Sequence, residues 1–150
     1  MSGNPISNKE QDHIGYLNLI QANIARMAGN SALMKGFAAT MIAAMFGMAV
    51  SELVKWYYIA ILIVPLIAFI RLDVYYLQLE KRYRNLYTFV AEHRQYNFNY
   101  SLDLKNSKFE EHRAAIDKDS GFFETLFSVS VWQFYIWFLA LAVILIIFIA

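Results

Sequence analysis

Apolar residues fall into three blocks along this chain, with polar sequence between them. Block one runs from Gly36 to about Val54, block two from Trp56 to Ile70, and block three from Val129 to Ala150. A helix needs roughly 20 apolar residues to cross the hydrocarbon core of a bilayer. Block three meets that length, and block one meets it if Glu52 sits at the far interface. Block two meets it by continuing through Arg71 to Tyr76. The pattern predicts an all-α integral membrane protein with spans over 36–54, 56–76 and 129–150.

Ahead of block one, Leu17, Ile20, Ile24, Met27, Ser31 and Met34 follow steps of three and four. That spacing predicts an amphipathic helix over 8–35 with one apolar seam. Gly29-Asn30 is a candidate kink just before the membrane. The turn at Ser51–Lys55 is short enough to force an antiparallel hairpin. Beyond Ile70, neither glycine nor proline interrupts the chain until past His93, and Glu80 and Arg84 stand i, i+4. The second span is therefore expected to continue as a cytoplasmic helix to about residue 94. Residues 95–128 form a cytoplasmic segment, irregular through Asn97, Asn99 and Asn106. A short helix follows from Lys108 to about Asp117 and ends at Asp119-Ser120-Gly121. All of this reads as one membrane domain over 1–150.

Composition strengthens the membrane reading. Hydrophobic residues make up 59% and charged residues only 17% of the 150, against about 45–50% and 25% in soluble domains. Mean hydropathy is +0.38. The apolar excess begins only after Lys9, Glu10, Asp12 and Arg26, too late for the h-region of a cleavable signal peptide.

Charge then sets the orientation. With three spans, twelve of the thirteen Lys and Arg residues lie on one side and Lys55 alone on the other. The positive-inside rule places the N-terminus in the cytoplasm and the C-terminus outside, as for a multi-pass protein of a bacterial inner membrane. Net charge is +1, and residues 71–128 carry nine basic and nine acidic side chains. No uncompensated basic surface exists for nucleic acid.

Motifs for chemistry are missing. There is no cysteine, and His13, His93 and His112 do not sit at metal-ligand spacing. No GxSxG and no phosphate-binding glycine loop occurs. The sequence therefore offers no catalytic residue, no metal site and no cofactor.

Other residues stand out for packing or gating. Ala39, Ala43, Gly47 and Ser51 recur every four positions, with Gly36, Thr40 and Ala44 in a neighbouring row. Small rows let helices approach closely in lipid. They serve packing against the protein's own second helix, or a subunit contact or pore-lining face. Pro65 is a kink or a hinge within block two. Arg71 and Asp73 flank the inner membrane edge, where ionisable groups are functional candidates or interfacial anchors. Asp73, the shorter, needs a partner. Arg26, Asn30, Ser31 and Lys35 form a polar cluster before block one, placed to cap a cytoplasmic mouth or touch headgroups. Lys81, Arg82 and Arg84 are candidate contacts for phosphate or anionic lipid, or simply a solvated face.

The order of parts resembles the SLATT-like small membrane effectors of bacterial anti-phage systems. The counterparts are the helix Leu17–Met34, the hairpin Gly36–Ile70 and the helix Arg71–His93, about two-thirds of the chain. The stretch Arg26-Met27-Ala28-Gly29-Asn30-Ser31, followed by Lys35-Gly36-Phe37, is similar to the start of uncharacterised bacterial three-span proteins. The third span departs from the two-span pattern. The resemblance implies a homo-oligomeric channel or membrane-disrupting effector, switched on by a nucleotide second messenger made by a partner enzyme.

The leading expectation is thus a homo-oligomeric inner-membrane effector that forms or gates a pore. The alternative is a non-enzymatic membrane anchor or scaffold that binds a cytoplasmic partner protein through 71–128. A transporter is disfavoured, since inverted repeats and multiple intramembrane charges are lacking.

Overall fold

A computed structural model describes residues 8–49, 56–93, 100–105 and 107–149. These are all helix and connecting loop, with no strand among the described residues. Helix α1 runs Asn8–Ala49 and helix α2 runs Trp56–Glu92. A 3-10 turn at Ser107–His112 leads into α3 (Arg113–Ile116), followed by α4 (Phe122–Leu126) and α5 (Val129–Ile149).

The amphipathic segment and block one are a single helix. Gly29-Asn30 does not break α1, whose α-helical backbone continues through both residues. Glycine in a helix costs about 1 kcal/mol relative to alanine. Six buried residues between Ile20 and Met45 give a contact seam along α2 that offsets so local a loss: Ile20, Met27, Ser31, Ala38, Ile42 and Met45. At 1.5 Å per residue, α1 and α2 are about 63 and 55 Å long. Pro65 lies inside α2, which is helical on both sides of it. The short helix expected over 108–117 forms as the 3-10 turn plus α3, and α4 is an additional turn that the residue pattern did not announce.

The two ends of the bundle are built differently. Around the first half of α1 and the last half of α2, Tyr16, Ile20, Leu86, Phe89, Val90, Phe109 and Ile116 form a closed core. Leu102 and Leu104 pack against it from the connecting segment. The Tyr16 hydroxyl donates to the Ser101 carbonyl, and the Tyr83 hydroxyl donates to the Leu102 carbonyl at 3.1 Å. Burial pushes the Tyr16 phenol up to about 12, with the neighbouring Tyr83 adding to it. Burial also raises Tyr83, with Arg26 opposing.

At the other end, α5 carries no charged residue, and large apolar side chains face outward around it. Trp132, Trp137, Ile144 and Ile147 are all exposed. Val64 and Ile67 on α2 and Phe37 and Met48 on α1 are exposed as well. By length and composition, α1 contains a stretch able to cross a membrane.

Candidate functional site

Asp73 sits where the closed core gives way to the apolar end, and it is completely buried. Its Oδ1 accepts two hydrogen bonds from α1. Lys35 Nζ lies 2.7 Å away and Ser31 Oγ 2.5 Å away. Lys35 Nζ also donates to Ser31 Oγ at 3.0 Å, closing a three-membered polar cluster. The Lys35 side chain is only 16% exposed and that of Asp73 is 0% exposed. Ser31 and Lys35 share one α1 face because they are one helical turn apart.

A third helix completes the surround. The Tyr135 hydroxyl on α5 faces the Asp73 carboxyl and feels its charge. Val131, one turn earlier on the same α5 face, is buried. Apart from the contact between these two side chains, Asp73 Oδ2 and the Tyr135 hydroxyl have no hydrogen-bond partner among the described residues. Buried polar groups are nearly always paired. The Asp73 carboxyl is therefore held chiefly through Oδ1, by Lys35 and Ser31, with Tyr135 as its neighbour on α5.

The candidate residues sort clearly against this geometry. Ser31, Lys35 and Asp73, assigned by sequence to two separate groups, meet at one point. Arg71, two residues from Asp73, is exposed, and its guanidinium lies 5.7 Å from the centre of the Phe122 ring. Arg26 is exposed and donates to Asn23 Oδ1 at 2.6 Å, and Asn30 is half-buried; neither touches the cluster. Pro65 is half-buried, two turns before Asp73.

Among the described residues, the small-residue rows lie mostly outside the buried face of α1. The contact face of α1 there is Ala38, Ile42 and Met45, while Gly36, Thr40, Ala43 and Gly47 are exposed and Ala39 is half-buried. A Cβ added at Gly36 or Gly47 would meet nothing within 4 Å. Among the described residues, no close approach to another helix arises at Gly36 or Gly47. Thr40 turns its hydroxyl back to the Gly36 carbonyl at 2.9 Å. Ser51 lies outside the described residues, as does the turn around Glu52 and Lys55.

Lys81 and Arg82 hold the chain between α3 and α4. Gln78, Lys81, Arg82 and Asn85 share one face of α2, and they reach the carbonyls that α3 and its following loop leave open. Asn85 donates to the Ile116 and Lys118 carbonyls, both at 2.9 Å, and Gln78 to that of Ser120 at 2.8 Å. Lys81 donates to the Asp119 carbonyl at 3.0 Å, and Arg82 pairs with Asp117 at 3.0 Å. Arg84 points elsewhere and pairs with Glu80 at 2.6 Å.

Tyr135 is the member that sequence reasoning missed. It reads as one more interfacial aromatic beside Trp132 and Trp137. The available signal was its helical register with Ser128 and Val131, which places it on the inward face of α5. Among the described residues no His, Asp and Glu side chains gather in a way that could hold a metal ion. No family model matches the chain, and neither a curated protein nor a solved structure matches it.

Proposed function

We propose that this is a non-enzymatic protein of the bacterial inner membrane, crossing it three times, whose copies assemble to form or gate a pore. The observation that carries this reading is the Lys35–Asp73 pair at the junction of the packed and apolar ends. Ionisable residues buried at membrane depth are costly and usually functional. Here the charge joins α1 to α2, and both helices run unbroken from the packed end into the apolar end. A rearrangement at the cytoplasmic end is thereby coupled to the spans. The exposed apolar surface of α5 suits lipid or a second copy, and the outward small-residue row on α1 suits close helix approach between copies. The resemblance to SLATT-like effectors points the same way and supplies the idea of a cytoplasmic trigger.

Reconstitution in liposomes tests it. Ion flux from an oligomer, altered by Asp73→Asn, is the expected result. A stable monomer in mild detergent with no flux overturns it. Retention of a cytoplasmic partner protein with membrane potential unchanged would instead support the anchor or scaffold reading.

A further inference from the structure

A groove of 530 Å³ opens beside the buried cluster, between α1, α2 and the start of α5. Three cations from two helices line it: Lys35, Lys81 and Arg84. Glu80 is the acidic residue in its wall, and Ser31, Ser128 and Ser130 supply hydroxyls. We infer that this groove binds a phosphate group, presented by an anionic phospholipid or by a soluble phosphate ester.

Four features converge on that chemistry. The lining carries more positive than negative charge. Each cation keeps donors in reserve. Among the described residues, Lys35 donates to Asp73 and Ser31, Lys81 to Asp119 and Thr125, and Arg84 to Glu80 with a five-donor guanidinium. The Ser128 hydroxyl is buried and has no hydrogen-bond partner among the described residues. Finally, Ser128 and Ser130 bracket the first residue of α5, a 21-residue helix whose N-terminal amides and dipole favour an anion.

Lys35 belongs to both the groove and the buried cluster. A phosphate that draws Nζ outward competes with Asp73 for it, which makes the groove an input to the junction. That the groove lies level with lipid headgroups rests on the three-span reading; its binding chemistry does not.

The test uses the full chain in mild detergent, titrated with dioctanoyl phosphatidylglycerol, dioctanoyl phosphatidylcholine and inorganic pyrophosphate. Saturable binding of phosphatidylglycerol in preference to phosphatidylcholine is expected. Arg84→Gln, at an exposed position, should weaken it about tenfold, the loss of one charge-assisted contact. Arg84→Lys should retain most of the affinity, and Lys105→Gln, outside the groove, should bind as the parent does. Pyrophosphate binding with the same variant pattern assigns the site to soluble phosphate esters; phosphatidylglycerol binding alone assigns it to lipid. Equal binding by parent and Arg84→Gln, or equal weakening by Lys105→Gln, overturns the inference. Binding with this pattern but no ion flux in liposomes leaves the groove standing and removes the pore.

Discussion

Leu86 and Val90 near the end of α2 are 0% exposed, as is Ile20 beside them on α1, whereas Trp137 and Ile147 on α5 are 76% and 72% exposed. Residues of the same chemistry are thus treated in opposite ways at the two ends of one bundle. The packed end closes a core as a water-soluble domain does, with side-chain hydroxyls and amides satisfying loop carbonyls around it. The apolar end leaves far more large apolar surface uncovered than the single scattered residues normal on a soluble protein. Water penalises that surface and lipid does not, so the contrast is what the proposed membrane reading would account for. The Lys35–Asp73 pair marks the boundary between the two regimes.

Breaking that boundary should have the largest effect. Lys35→Ala leaves Asp73 buried without its cation, and losing one partner of a buried pair costs about 3–5 kcal/mol. The double variant Lys35→Met with Asp73→Leu should recover most of this, because it removes both charges. Unfolding of the four proteins in detergent measures the cycle, and a double variant as unstable as the sum of the singles would show that the pair's charge is not what matters.

The two ends should then answer truncation differently. Leu86→Ala opens a cavity in the closed core and should cost about 2–5 kcal/mol. Ile147→Ala removes an exposed side chain and should stay within about 0.5 kcal/mol. Comparable losses at both positions would mean that α5 is covered by something, such as a second copy. A charge at the apolar end should act on insertion rather than folding. Leu141→Asp, near the middle of α5, should disfavour translocon-mediated insertion by about 2.5–3.5 kcal/mol. Unchanged insertion in a glycosylation-mapping assay would remove α5 from the membrane.

A further effect, confined to alkali, is expected at the packed end. Tyr16 is raised from 10.0 to about 12 by burial. The folded state therefore favours the neutral phenol. Its contribution is fully present below pH 10 and is lost as pH rises from 10 towards 12. Tyr16→Phe should show a shallower loss of stability across that window than the parent, measured as the unfolding midpoint between pH 9 and 12.

Much of the architecture was legible along the chain because it depends on local pattern. The uninterrupted run from Trp56 past Arg71 predicted a helix through about residue 94, and α2 ends at Glu92. The apolar run from Val129 predicted α5. The merging of the first two segments into α1 was less legible, since Gly29-Asn30 is a local signal for a bend and the seam that overrides it lies on another helix. Asp73 stood out as a charge in need of a partner. Nothing in the spacing of 38 residues between Lys35 and Asp73 could name that partner.

The small-residue rows teach the same lesson from the other side. Their four-residue period placed Gly36, Thr40, Ala43 and Gly47 on one side of α1, as periodicity alone can. Which side meets α2 depended on how Ala38, Ile42 and Met45 fill the space between the helices, a property of two surfaces together. By itself, then, the sequence determined helix content, helix lengths and the uneven distribution of apolar surface and charge, because each follows from neighbours within a few turns. Only the tertiary structure decided that Ser31, Lys35, Asp73 and Tyr135 meet, because that convergence depends on the rotation of three helices about their axes, which side-chain packing sets and local pattern does not.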